Sequence, residues 1–340
     1  MNDSTRVPGL QKLLDYAASG IGGVAGSLLS ACKPTEENVD KLIVDDKTPD
    51  SPDLYAQARA RARDTFMSED SGEDAERDSG GTDTPIAQRL DFQERRRQRN
   101  IESIVRLAVA HLGDQEAEDG TPDHDWAVRF FACAQDVSSN EMQALWARVL
   151  ATEVMRAGST CIHTLSVLDR LDRATVSLFR KLCSACMFLI PDGKTLLDVR
   201  LPVLSGNEAI HRSLQESGIG MNSLGRLNDL GLLIPDRSLG MDYRLSVGTV
   251  AENTRKMVRI PFRFQDRYWI LVPRGKRDPD EVVKVPGIGL SISGKELSHC
   301  LDVESMERVT EGLTEFFRTK HNLDMVETSN PGPQLLDMPS

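Results

Sequence analysis

The stretch Asp123–Val137, DHDWAVRFFACAQDV, decides the fold class. Trp126, Phe130, Phe131 and Ala134 stand at i, i+4, i+5 and i+8, which places them on one face of a helix. Asp123 or Asp125 supplies the N-cap, directly after Pro122. An aromatic stripe at helical spacing is a core stripe, so this helix needs an apolar partner. The partner follows at once. Ser138 or Ser139 caps it, and Ser138 with Glu141 matches a capping box better than Ser139 with Met142. Met142, Leu145, Trp146, Val149 and Leu150 line that second helix to about Met155, ahead of Gly158.

Upstream, Leu90, Ile101, Ile104, Val105 and the run 107–112 predict one long amphipathic helix from Ile86 to near Gly113. Its first half is basic, with Arg95, Arg96, Arg97 and Arg99 against Glu94. That half is either a solvated face or a dock for the acidic linker or another anionic partner. Downstream, 164–171 and 174–190 continue as helices. Cys183 and Cys186 form a C-x-x-C inside an apolar run with no second pair, so they read as core thiols and not as a zinc site. The six His never pair at i, i+3 or i, i+4, so no helix-borne metal motif arises.

The same block carries a resemblance. The runs Arg96-Arg97-Gln98-x-Asn100-Ile101-Glu102, Asp125-Trp126-x-x-Arg129-Phe130-Phe131 with Gln135-Asp136-Val137-Ser138, and Glu141-Met142-Gln143-x-Leu145-Trp146 to Glu153-Val154 resemble a bacterial family known as domain of unknown function 2806. Gly158-Ser159 and Thr164-Leu165 complete the pattern, which is strong over 95–190 and looser to about 320. Ala157 and His163 stand where the family tends to have Pro and Arg. The resemblance implies no activity. Its motif residues Asn100, Trp126, Arg129, Phe130, Phe131, Asp136, Trp146 and Glu153 read mostly as core. A shorter resemblance, Gly9-Leu10-x-x-Leu13-Leu14 on to Gly26, is to the start of abortive-infection alpha proteins.

Past residue 195 the pattern changes. Helices at 207–216 and 222–230 flank Ser217-Gly218-Ile219-Gly220, and strands follow Gly231. This order fits a winged-helix-like domain with a small antiparallel sheet. The second helix would be the reader, yet Arg226 is its one cation, which favours packing or protein docking over phosphate contact. Residues 255–277 hold eight cations against Asp266 alone. Ile260, Phe262 and Phe264 alternate with Arg259, Pro261, Arg263 and Gln265, so Arg259 and Arg263 are expected on one wet face, with Arg267, Tyr268 and Trp269 beside them. Basic residues interleaved with aromatics suit a nucleic-acid platform, and they equally suit an ordinary charged hairpin. Strands at 282–285 and 289–292, a helix at 294–301 and a last amphipathic helix at 305–319 complete the reading.

The ends fill in the organisation. Residues 16–32 are uncharged and hold the small-residue spacing Gly22-x-x-x-Gly26, which suits close helix association, or peripheral membrane contact through 9–32. Residues 68–83 carry seven acids against Arg77, so 33–85 reads as weak helix and disordered acidic linker. The resulting parts are 1–32 (Gly-rich apolar helix), 33–85, 86–190 (helical core), 195–325 (winged-helix-like domain and C-terminal helix) and 326–340 (disordered tail). The fold class is α+β, mainly helical. With 340 residues and a net charge of −11, the chain is unsuited to coating nucleic acid over its whole surface. Six scattered Cys suit a reducing cytosol, with membrane association open through 9–32. No P-loop, G-x-G-x-x-G, nucleophile elbow or H-E-x-x-H occurs, so neither catalytic, cofactor nor metal residues are assigned. The leading expectation is a non-enzymatic interaction protein of the abortive-infection or phage-defence kind, a sensor or effector that meets a protein partner or itself. The alternative is a winged-helix nucleic-acid regulator working through 255–277.

Overall fold

The computed structural model describes residues 9–21, 84–112, 117–121, 123–190, 196–202, 208–234, 240–250 and 256–337. Gly22, Gly26 and the acidic linker to 83 lie outside the described residues. Among the described residues no helix is long and apolar enough to cross a membrane.

Helices come first along the chain: α1 (Leu10–Ile21), α2 (Pro85–Leu112), α3 (His124–Ala134), α4 (Asn140–Met155), α5 (Ile162–Leu168) and α6 (Arg173–Ser184). Asp123 caps α3 by accepting from the Trp126 amide. Ser139, and not Ser138, caps α4 through the Met142 amide. Ser138 is instead drawn to Asn100 on α2. The aromatic stripe is core, with Trp126, Phe130, Phe131 and Trp146 all buried. Phe130 sits between the two indoles, 5.1 Å from the Trp126 ring and 5.2 Å from that of Trp146. The second half of α2 packs along α4, while α1 lies across α3.

The helix predicted over 174–190 ends at Ser184. Met187–Leu189 is β1, fully buried at every residue. It pairs with β2 (Asp198–Pro202) on one side and with β6 (Phe262–Phe264) on the other. An unbroken apolar run is what a strand covered on both faces requires, and periodicity alone does not separate it from buried helix. The sheet is also larger than expected. With β3 (Gly240–Asp242), β7 (Arg267–Pro273), β8 (Lys284–Gly289) and β9 (Leu323–Thr328) it has seven strands, in the order β3-β8-β2-β1-β6-β7-β9. Every pairing is antiparallel.

Helices α7 (Glu208–Glu216) and α8 (Met221–Asp229) flank a turn in which Gly218 takes φ +82°, a conformation that favours glycine. Of the strands that follow, β3, β6, β7 and β8 join β1 and β2 in the seven-stranded sheet. Helix α7 packs on α10 (Glu307–His321), and α8 meets α6. Helix α9 (Ile292–Ser298) packs on α5; one strand, β8, stands where two were expected at 282–285 and 289–292, and the helix starts ahead of the expected 294. The tail read as disordered from 326 contains the end of β9 and all of β10 (Gln334–Asp337). β10 pairs with β5 (Lys256–Arg259), and β5 with β4 (Thr249–Val250), in a second, three-stranded sheet. Both strands at the tail are made by partners distant in sequence.

The helical block and the large sheet share one buried apolar cluster running from Leu13 to Met325. Polar ties cross the seam between them. Thr164 on α5 donates to Glu296 on α9 at 2.5 Å, and the Cys161 amide reaches the same carboxylate oxygen at 3.0 Å. Arg148 on α4 grips Asp302 with two hydrogen bonds, at 2.8 and 2.7 Å.

Candidate functional site

Of the motif residues, Trp126, Phe130, Phe131 and Trp146 are core, Arg129 is exposed instead, and Asn100, Asp136 and Glu153 stand in two loop clamps of the helical block. In the first, the buried Asn100 amide on α2 donates to the Gln135 carbonyl (2.8 Å) and to Ser138 Oγ (3.2 Å). Gln143 on α4 donates to Asn100 Oδ1 and to the Val137 carbonyl, and accepts from Ser103. Arg97 closes on Asp136 at 3.0 and 3.3 Å. Asn100 and Gln143 thereby supply donors to the half-buried Gln135 and Val137 carbonyls of the tight α3–α4 connection, and Arg97 pairs with its exposed Asp136.

The second clamp is built on Glu153, which is 1% exposed. One carboxylate oxygen accepts from the Gly158 amide (2.6 Å) and the Tyr16 phenol (3.3 Å). The other accepts from the Thr160 amide (2.9 Å) and Ser159 Oγ (3.1 Å). Gly158 takes φ +78°, so the loop turns where only glycine does so without strain. Burial, then the adjacent Glu153 charge, push the Tyr16 phenol well above its ordinary range, so it stays a donor. Tyr16 belongs to α1, so this one carboxylate fastens the N-terminal helix, α4 and the loop after it. The spacing Glu153…Gly158-Ser159 was present in the motif; the tie to Tyr16 carried no local signal.

The basic segment is divided. Ile260 and Pro261 interrupt it, since Pro261 has no amide to donate. Arg259 lies in β5 of the small sheet and Arg263 in β6 of the large one. Arg259 donates to the Val247 carbonyl at 2.8 Å. Arg263 lies half-buried, its guanidinium carbon 4.3 Å from the centre of the Phe188 ring, and its Nε and Nη2 are buried without a partner. Burial lowers the pKa of both arginines. Arg259 and Arg263 therefore share no single strand face: they stand in different sheets, and Arg263 lies on the face of the large sheet that carries Phe188. Register places Tyr268 opposite Arg263 on that face. Arg267 and Trp269 therefore point to the other face. Arg267 pairs with Glu327 at 3.2 Å, and the Trp269 indole donates to the Phe264 carbonyl.

An open groove of about 570 Å³ separates the start of α6 from α8, lined by Asp172, Met221, Asn222, Gly225, Arg226 and Asp229. Arg226 spans it and donates to both oxygens of Asp172, at 3.1 and 2.8 Å. Hydrogen bonds from Thr175, then the Arg226 charge, hold the Asp172 carboxyl below the usual range. The one cation of the reader-like helix is thus bound within the molecule. Among the described residues no group of three His, Cys, Asp or Glu is placed to hold a metal ion.

Cys183 and Cys186 are buried, as their apolar surroundings predicted, and Cys161 is exposed. Burial raises the Cys183 and Cys186 thiols, and thiol reagents attack the thiolate. Of these three, Cys161 is expected to react first with a thiol reagent in the native protein, and Cys183 and Cys186 only on unfolding. Peptide mapping after graded labelling checks this order, and early labelling of Cys183 would contradict it.

These features define a mixed α/β protein whose helical block is sealed against a seven-stranded antiparallel sheet and whose motif residues knit loops. The family described as Protein of unknown function (DUF2806) matches residues 85–306, from the first turn of α2 to just short of α10. The chain belongs to that family. No curated protein and no solved structure matches it.

Proposed function

We propose that this chain is a non-enzymatic interaction protein, of the abortive-infection kind that its opening residues resemble. In this reading it meets a protein partner, a second copy of itself or a membrane surface through the Gly-rich residues after Ile21. The observation that carries the reading is the seat of α1. Leu13, Tyr16 and Ala17 are buried against the family core, and Tyr16 is bonded to Glu153. Whatever the residues after Ile21 touch is therefore held to the globular body. Small residues at Gly22 and Gly26 suit close helix approach.

Light scattering on the purified chain, and flotation with lipid vesicles, test this reading. The native chain is expected to self-associate or float, and Gly22→Leu/Gly26→Leu to do so several-fold less while keeping its circular dichroism. A monomeric native chain that never floats, or a double variant that behaves as native, defeats it.

The winged-helix alternative draws support from α7, the Gly218 turn and α8 followed by strands. It is the weaker reading, because Arg226 is tied to Asp172 and Arg259 stands in a different sheet from Arg263 and Arg267.

A further inference from the structure

Helix α2 is 28 residues long, but its buried residues begin only at Asn100. Residues 85–99 form an arm of roughly 22 Å at 1.5 Å per residue. At about 100° per residue, Arg89, Arg96, Arg99 and Arg106 fall within an arc of about 100°. The same arc contains Phe92 and Ser103 and no carboxylate. All four arginines are exposed. Arg96 approaches Asp136 only at 3.9 Å, and Asp136 is already held by Arg97 at 3.0 Å. Among the described residues Arg89, Arg99 and Arg106 have no ion-pair partner. Ile86 and Leu90, one turn apart and 62% and 50% exposed, stand outside this arc on the other side of the helix. The first turn of α2 holds no acidic residue to meet the positive end of the helix dipole.

The chain entering this helix has the opposite charge. Residues 68–83 carry seven acids against Arg77, a net −6, and end next to the arm. Sixteen residues extended at about 3.3 Å each reach roughly 50 Å, more than the length from Pro85 to Arg106. We propose that the arginine stripe of α2 is a docking surface for the chain's own acidic segment 68–83, which covers the stripe and keeps other polyanions off it. The contact is electrostatic, so it weakens with salt. Because the segment is tethered, its effective concentration at the arm is in the millimolar range, and a free competitor must overcome that.

The test uses the full-length chain and a labelled synthetic peptide of residues 68–83, followed by fluorescence anisotropy at low salt. In one variant the seven acids are changed to their amides, which empties the stripe and leaves every described residue unchanged. That variant is expected to bind the peptide saturably and to release it at high salt. The native chain should bind it about tenfold more weakly or worse, because its own segment competes. Adding Arg89→Ser, Arg96→Ser, Arg99→Ser and Arg106→Ser to the amide variant should abolish binding, with circular dichroism unchanged. Equal peptide binding by the native chain and the amide variant would overturn the proposal. So would absence of binding to the amide variant, or indifference to the four Arg→Ser changes. An amide variant that takes up duplex DNA but not the peptide would assign the stripe to nucleic acid and overturn it as well.

Discussion

Glu153→Leu is expected to lower the unfolding free energy by about 2–5 kcal/mol. The change keeps an apolar side chain of similar reach in the core but removes the acceptor shared by four donors. Gly158 is exposed and its amide can turn to water. The Thr160 amide and the Tyr16 hydroxyl cannot, since Thr160 is 4% exposed and Tyr16 0%. Each buried donor left without a partner costs about 1–3 kcal/mol. Glu153→Gln should lose less, because its carbonyl oxygen still serves one side of the cradle while its amide nitrogen faces donors on the other. Tyr16→Phe removes one hydrogen bond and should cost about 1 kcal/mol. Denaturant midpoints at constant slope give the ranking Leu, Gln, then Tyr16→Phe. A Glu153→Leu chain within 1 kcal/mol of native would show that the cradle is not a structural clamp.

How much of this was legible depends on how local each feature is. Helices α3 and α4 were readable because cap, stripe and stop lie within one short run, although the capping-box match favoured Ser138 where Ser139 is the cap. Strand β1 was not, since Met187, Phe188 and Leu189 are buried on both faces and show no alternation. β9 and β10 were hidden for a different reason. Each acquires its conformation from a strand far away in sequence, β7 and β5 respectively, and polar residues such as Glu327 and Gln334 give no apolar pattern to read. Arg263 is the instructive case. Period-2 alternation correctly puts it opposite Phe262 and Phe264, but alternation says only which residues share a face. Whether its guanidinium meets water is decided by neighbours such as the Phe188 ring on β1, which the whole topology places. The Glu153 cradle divides the same way: its loop half is local, and its Tyr16 half spans 137 residues.

Gly20→Ala is expected to destabilise the chain even though alanine is the better helix former. In an exposed helix interior this exchange gains about 1 kcal/mol. Here a Cβ on Gly20 would lie 2.2 Å from Phe131 Cδ2 and 2.7 Å from the Ala127 carbonyl oxygen. The Phe131 ring can rotate only within a packed core, and the Ala127 oxygen is backbone of α3, so α1 itself has to move. Overpacking of this kind costs about 1–3 kcal/mol, enough to reverse the propensity gain. Gly20→Leu carries the effect further. It should lift α1 off α3, expose Leu13, Tyr16 and Ala17, and break the Tyr16–Glu153 hydrogen bond. Hydrogen exchange distinguishes this from general unfolding: amides of 10–21 should lose protection in Gly20→Leu while those of α3 and α4 largely keep theirs. If Gly20→Ala instead raises the denaturant midpoint, α1 does not cross α3 as closely as the structure has it, and the anchorage that the proposed interaction role depends on fails with it.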